Sequence, residues 1–465
     1  MSSFPSGFVW GVAAAAYQVE GAAREGGRGD SVWDPFCRRP GAVANSENPE
    51  IGGDQYHLYR EDAALISAMG ARVYRASVSW SRILPEGTGA INEPGLDYYD
   101  RLVDALLAAG VTPWLTLFHW DYPLALQRRG GWLNPEAPKW FEDYTRIVVD
   151  RLSDRVTHWM TINEPQVFIS AGHLVGVHPP SLKLERPDAL RAIHHTLVAH
   201  GRAVRAIREV AKKPATIGWA TATRTYLPAT ESEADIAAAR AKTFTVTDKG
   251  EWTFNDALYA DPIIKGAYPK EMLSLFGADM PRIAPGDMET IAEPTDFLGI
   301  NVYFGIPVKA GPDGAAVELS KPLGPPSTMI PWQVTPSVMY WAPRFLHERY
   351  GVPMHITENG CAGMDWVHID GKVHDAHRID FLSRYLRDLR RSIAWGADVR
   401  GYLHWSVMDN FEWSEGFRMR FGLIFVDYAT RARTPKDSYH WYAKVIASNG
   451  AHIPETVAPM AEWRI

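Results

Sequence analysis

Two short stretches of the chain place an acid where one is costly. In "MHITENG", Met354 to Gly360, the residues Val352, Met354 and Ile356 suit a buried β-strand. Glu358 then arrives as that strand runs into the turn pair Asn359-Gly360. "WMTINEP", Trp159 to Pro165, repeats the pattern, with Glu164 directly ahead of a proline. A carboxylate buried without a partner costs several kcal/mol. If the fold brings the two acids together, they form a working pair of carboxyl groups, and the residues around them say on what.

The elements that must position them are legible as an alternation. Eight short β-type runs occur: "FVWGVA" from Phe8, "RVYRASV" from Arg72, "TPWLTLF" from Thr112, "THWMTI" from Thr157, "TIGWAT" from Thr216, "DFLGINV" from Asp296, "PMHIT" from Pro353 and "GYLHW" from Gly401. Between them lie stretches such as "YHLYREDAALISAMG", "LDYYDRLVDALLAAG" and "RIDFLSRYLRDLRRSIAWG", with apolar residues at three- and four-residue spacing. Two of the three end in Gly just before a strand, a usual helix stop. Eight strand–helix alternations predict an α/β fold, a single (β/α)8 TIM barrel with extended βα loops forming the active-site mouth, over one catalytic domain spanning residues 1–465. An open doubly wound sheet would carry fewer strands, and the first run lacks a phosphate-type Gly-x-Gly-x-x-Gly. The Pro/Gly-rich stretch Gly305 to Thr328 reads as a long surface loop near the barrel mouth.

In such a barrel, function gathers where strands end at their C-terminal side. Reading those ends in order yields Gln18 after the first run, Arg75 on the second, and His119-Trp120 after the third. Asn163-Glu164 follow the fourth, Asn301 and Tyr303 the sixth, Glu358 the seventh, and Trp405 with Glu412-Trp413 the eighth. Taken singly, Gln18, His119, Arg75 and each tryptophan read as structural. Together they offer two-sided hydrogen-bonding groups and flat aromatic faces, which suits a pyranose with hydroxyls around its rim and C–H faces to stack on. His194, His195 and His200 lie in a helical stretch without a second ligand cluster of zinc-like spacing, so no metal or other cofactor is expected.

The totals narrow the class. The chain has 465 residues, 46% hydrophobic and 22% charged, with a net charge of −6, so it is globular and without the basic face that nucleic acid requires. The cluster "RYLRDLRR", Arg384 to Arg391, reads as the wet face of a helix. Two cysteines, Cys37 and Cys361, make no disulfide scaffold and lean toward a reducing compartment. The N-terminal stretch has no basic segment ahead of its apolar run, and no run of about 18 apolar residues occurs. A cytoplasmic protein without membrane partners is expected.

Long ordered motifs then resemble a known family. "GFVWGVAAAAYQVEGA", "SVWD", "YRASVSWSRILPEG", "TLFHWDYP", "TINEP", "GINVY", "ITENG", "DNFEW" and "RFGLIFVDY…RTPKDS" look like the motifs of glycoside hydrolase family 1, from about Phe4 to about Ile446. The resemblance implies a retaining β-glycosidase acting on small-molecule β-glucosides or short β-linked oligosaccharides. In it Glu358 matches the nucleophile and Glu164 the general acid/base, two carboxyl groups about 5–5.5 Å apart. Residue types alone do not rank the two. Glu164 would need a raised pKa, mainly from its ionised neighbour and from burial. Arg75 and Tyr303 would orient Glu358, and Asn163 would bind the 2-hydroxyl. Gln18, His119, Trp120, Asn301, Glu412, Trp413 and Phe421 match positions around the bound sugar, with Trp405 its stacking floor. An acid at Glu412 repels a 6-phosphate and so favours an unphosphorylated glucoside, galactoside or fucoside. The chain departs from the family's pattern at Ala76, at Gln166 where many members have Trp, at His404, and in "AAAAYQ"; Gln166 bears on the leaving-group side. A transglycosidase on the same acids, a non-catalytic sugar-binding barrel and a metal-dependent barrel hydrolase or isomerase are the competing readings. Oligomeric state is not legible.

Overall fold

Each of the eight apolar runs forms a strand, and the strands close on one another. The computed structural model describes residues 3–50 and 52–460; residues 1, 2, 51 and 461–465 of the expected 1–465 unit lie outside the described residues. The strands are β1 (Val9–Ala13), β2 (Val73–Ser77), β3 (Thr112–Phe118), β4 (His158–Asn163), β5 (Thr216–Ala222), β6 (Phe297–Asn301), β7 (Met354–Asn359) and β8 (Val399–Trp405). They pair in sequence order, all parallel, and β8 returns to β1 with Ala13 opposite Trp405. The chain therefore folds as a (β/α)8 barrel.

The main crossover helices are α1 (Gln55–Ala68), α2 (Glu93–Ala108), α3 (Ala137–Leu152), α4 (Arg186–Val210), α5 (Asp256–Lys265), α6 (Val338–Tyr350), α7 (Ala376–Trp395) and α8 (Asp437–Ala447), with a further helix at Glu233–Phe244 and shorter turns between. The apolar stripes read from the sequence face the barrel: Leu96, Leu102, Val103 and Leu106 of α2 are buried. Gly70 and Gly110, at φ +82° and +76°, end α1 and α2 in the left-handed conformation. Inside the barrel a second core of Val73, Trp114, Met160, Ala220, Phe297 and Leu403 runs up to Trp405 and Phe421. The interior is thus filled from below, and it opens at the C-terminal end of the strands.

Two sequence expectations need correction. The stretch 305–328 is not all loop. Gly305–Ala310 is a strand that pairs in parallel with Thr225–Pro228 and antiparallel with Ala316–Glu318. Ile306 and Val308 alternate with polar or special residues in the strand sense, but Pro307 between them masks the signal. The arginine cluster of α7 is only partly wet, since Arg390 is 6% exposed and reaches Glu455 at 3.3 Å.

A buried charge network ties the loops above β7 and β8 to the following helices. Lys436, just before α8, donates to Asp365 at 2.6 Å and Asp409 at 2.7 Å. Arg378 of α7 holds Asp365 at 2.7 Å and also Asp375, while Arg420 holds Asp409 at 2.6 Å. Asp409 opens the loop that carries Glu412, so the network sets that loop's height. Removing one member of a buried ion pair strands the other's charge, a loss of about 3–5 kcal/mol. Lys436→Met should lower unfolding stability on that scale in a denaturant titration; a loss under about 1 kcal/mol, the range of an exposed pair, would count against the network.

Candidate active site

Both acids sit just past a slip in the strand ladder. On β4, Met160 faces Gly218 but Asn163 faces Ala220, so three residues of β4 advance against two of β5. On β7, Ile356 faces Ile300 and Glu358 faces Asn301, two residues against one of β6. Such slips turn a side chain off the alternating pattern and recur next to active sites. Glu164 is also held at φ +48°, ψ 65°, where its amide donates to the Ala220 carbonyl at 2.9 Å. A left-handed non-glycine residue costs about 1–3 kcal/mol and persists only when its surroundings impose it. Trp120 (φ +81°) and Trp413 (φ +53°) share the feature and face the same cavity.

A buried hydrogen-bond hub joins the two acids. Arg75 donates to Glu358 Oε1 at 2.6 Å, to the Thr357 carbonyl at 3.2 Å, to Asn163 Oδ1 at 2.5 Å and to Thr116 Oγ1 at 3.2 Å. Tyr303 donates its hydroxyl to Glu358 Oε2 at 2.8 Å. Thr357 donates to Asn301 Oδ1 at 2.6 Å, which fixes that amide so its NH2 reaches both Asn163 Oδ1 and Glu164 Oε1 at 2.9 Å. Asn163 Oδ1 is saturated by these donors, so its NH2 faces His119 Nε2 at 3.2 Å and the histidine proton falls on Nδ1.

Above the hub lies a cavity of about 400 Å³, within the range of small-molecule sites. Glu164, Glu358, Asn301, Tyr303, His119, Trp120, Trp405, Glu412, Trp413 and Phe421 all line it. Gln18, Arg75 and Asn163 stand behind. The rings of His119 and Trp405 lie 5.7 Å apart at 16°, and those of Trp120 and Trp413 pack at 4.6 Å, making a stacked aromatic wall. Gln18 Nε2 donates to Asn410 Oδ1 at 3.0 Å, Phe411 O at 2.8 Å and Glu412 Oε2 at 3.3 Å. Its Oε1 and the Nδ1 of His119 are buried polar atoms without a partner among the described residues. Such atoms are satisfied by something that binds.

Three carboxyl groups share this space with Arg75, and their proton affinities separate. Burial, then the charge of Glu358, holds Glu164 well above the ordinary carboxylate value. Burial is the larger cause, not the neighbouring charge that the sequence reading ranked first. Burial also raises Glu358, but Arg75 opposes it through charge and hydrogen bond. Glu412 is pushed up to about 8 by burial and by Glu358. Burial, then Arg75, holds His119 well below its usual value, so it is a neutral donor and acceptor.

Some residues fall outside the sequence reading. The mouth of the cavity is lined by Trp332, Phe304 and Ile330 on one side and by Thr223, Arg224, Glu251 and Phe254 on the other. Arg224 stacks on Phe254 at 5.2 Å and pairs with Glu251. These come from loops and from the end of β5, the one strand whose tip offered no obvious chemistry; Trp332, four residues past the Pro/Gly-rich stretch, was the available signal. Gln166 does not reach the mouth. It is fully buried and turned onto β5. His404 is also buried, away from the cavity, with Nε2 at 3.4 Å from the Phe421 carbonyl.

A parallel eight-stranded barrel whose open end holds two acids joined through Asn301, Asn163 and Arg75, under an aromatic wall, is the architecture of a carbohydrate-cleaving enzyme. The chain belongs to glycosyl hydrolase family 1, whose model matches residues 1–451. Beta-glucosidase A of Thermotoga maritima is 42% identical over 452 residues, which span 97% of this chain and 99% of that protein. The beta-glucosidase of an Agrobacterium species is 40% identical over 447 residues, 95% of this chain and 94% of its own. The solved structure of the family 1 β-glucosidase from Thermotoga maritima superposes with a TM-score of 0.88 at 41% identity, covering 97% of this chain and 99% of that one. Its complex with deoxynojirimycin superposes at 0.87, at 40% identity, covering 97% and 100%. The chain is a glycoside hydrolase.

Proposed function

We propose that this enzyme is a retaining β-glucosidase that removes terminal β-D-glucosyl residues from small glucosides and short β-linked oligosaccharides. The observation that carries the reading is the unequal treatment of two acids in one cavity. Arg75 and Tyr303 both donate to Glu358, which favours its anion and aims it as nucleophile. Among the described residues Glu164 receives only the Asn301 amide, and burial raises its proton affinity. Glu358 attacks the anomeric carbon while Glu164 gives its proton to the departing oxygen; Glu164 then takes a proton from the water that releases the sugar. The Asn163 NH2 and the orphan atoms of His119 and Gln18 suit sugar hydroxyls, Trp405 suits the C–H face of the ring, and Trp120, Asn301, Glu412, Trp413 and Phe421 complete the surround.

The relatives' names point the same way: one from Thermotoga neapolitana, 42% identical, is a 1,4-beta-D-glucan glucohydrolase. Cys37 and Cys361 are both free and buried, which supports a reducing, cytoplasmic setting. Among the described residues no helix is long and apolar enough to cross a membrane. The amide of Phe4 meets the carbonyl of Asn449 at 2.9 Å, which supports one catalytic unit from end to end.

The anomer first released from an aryl β-glucoside, followed by proton NMR, tests the reading. β-Glucose ahead of mutarotation is expected; α-glucose would overturn it.

The pH profile follows from the same environments. The active form has Glu358 ionised and Glu164 protonated. Activity therefore falls on the acid side as Glu358 gains a proton and on the alkaline side as Glu164 loses one. The alkaline limb should lie well above the ordinary carboxylate value of 4.5, since Glu164 is raised. Glu358→Gln removes the charge that helps raise it, so the Glu164 pKa, followed by carbon NMR, should drop; an unmoved value would refute the coupling.

A further inference from the structure

The turn that presents Glu164 is fastened to three consecutive residues of β5. The Glu164 amide donates to the Ala220 carbonyl at 2.9 Å. Two residues on, the Gln166 side chain donates through Nε2 to Thr221 Oγ1 at 2.5 Å and accepts at Oε1 from the Ala222 amide at 3.3 Å. Thr221 in turn donates to Asp256 Oδ1 at 2.6 Å, and Thr223 donates to Asp256 Oδ2 at 2.7 Å. The directions are set from the backbone. The Ala222 N–H can only donate, so Gln166 Oε1 accepts from it and the Gln166 NH2 faces Thr221. Thr221 Oγ1 therefore accepts from Gln166 and turns its own proton to Asp256, whose carboxyl group burial raises to about 6. Gln166 and Thr221 are completely buried and Asp256 is 1% exposed. A side-chain amide with both groups committed to one strand has nothing to offer a sugar.

We propose that Gln166, Thr221 and Asp256 form a positioning relay that aims the acid/base Glu164. The inference rests on the role given to Glu164 above. Glu164 has a left-handed backbone, at φ +48°, that a non-glycine residue abandons unless held. Among the described residues its carboxyl group takes one side-chain hydrogen bond, from Asn301, so its direction depends on the backbone beneath it. The relay holds that backbone on its C-terminal side, as the Ala220 contact holds it on the other. Asp256 lies two residues past Phe254 and five past Glu251, both of which line the cavity mouth. The same bonds therefore join the mouth to the acid. Loosening the relay lets the turn relax, and the Glu164 carboxyl drifts from the oxygen it must protonate. The loss falls on the step that needs acid assistance and spares the step that does not.

The test measures kcat/KM on two substrates, 2,4-dinitrophenyl β-glucoside, whose leaving group needs no proton, and methyl β-glucoside, whose leaving group does. Two near-isosteric variants break the relay: Gln166→Met and Thr221→Val. Each should lose about tenfold on the methyl glucoside and under about twofold on the dinitrophenyl glucoside, a fraction of what a positioned general acid contributes. The double variant should lose no more than the worse single one, because both cut one chain. Asp256→Asn, at the far end, should show the same split at smaller amplitude, and keeps the test open if a core variant fails to fold. Equal losses on both substrates, additive losses in the double variant, or no loss would overturn the relay. Glu164→Ala, run alongside, separates the two claims. If it shows a large split and the relay variants show none, the relay alone is wrong. If it shows no split, the role of Glu164 falls and the relay falls with it.

Discussion

Glu358→Ala should lower turnover by roughly four to six orders of magnitude, the scale on which removal of an enzyme's nucleophile acts. The protein should still fold, because Arg75 keeps three other acceptors: Thr116 Oγ1, the Thr357 carbonyl and Asn163 Oδ1. Tyr303 loses its acceptor, but its hydroxyl faces the cavity, where water can reach it. The space left by the carboxyl group fits a small anion. Azide placed there attacks an activated aryl glucoside from the face Glu358 would have used, so the product is the α-glucosyl azide. Product analysis by NMR with wild type and variant decides the matter. Turnover within about tenfold of wild type would remove Glu358 from the nucleophile role, since assisted steps of lesser importance lose that much.

Glu164→Ala should behave differently, and the difference is diagnostic. The first step loses its proton donor, so kcat/KM on a poor leaving group should drop by about 10²–10⁴. An activated dinitrophenyl glucoside needs no donor, and its kcat/KM should change little. Its kcat should still fall, because the second step also loses the base that activates water. Azide needs no base, so it should restore turnover on the activated substrate and yield the β-glucosyl azide. The two variants thus predict azides of opposite stereochemistry from one cavity. Equal losses on good and poor leaving groups, with no rescue by azide, would take the acid/base role from Glu164.

The environments that make these roles unequal come from different levels of the chain. The eight strands and the acids at the tips of two of them are local facts. Apolar β-type runs bounded by breakers declare strands, and three- and four-residue spacing declares the helices between them. The residues at strand ends could be named in order because a closed parallel barrel sends every strand's C-terminal end to one rim. Gln18, Arg75, His119, Asn163, Glu164, Asn301, Tyr303, Glu358 and Trp405 were all reachable by that rule.

Other features depend on contacts between residues far apart in the chain. The ladder slips before Asn163 and Glu358 arise from pairing with β5 and β6, which no run of β4 or β7 encodes by itself. Gln166 looked like a leaving-group contact because it follows the acid by two residues; the bond to Thr221 turns it inward instead. Gly305–Ala310 is a strand because Thr225–Pro228 offers it an edge, despite Pro307. Arg390 of α7 meets Glu455, 65 residues further along the chain.

By itself, then, the sequence determined the barrel and the presence of two acids at its rim, since periodicity and strand-end position are properties of neighbours in the chain. Only the tertiary structure decided which acid is surrounded by donors and which is left to burial. Proton affinity is set by what lies within a few ångströms of a carboxyl group. Around Glu358 those groups come from elsewhere in the chain, Arg75 from β2 and Tyr303 from the loop just past β6.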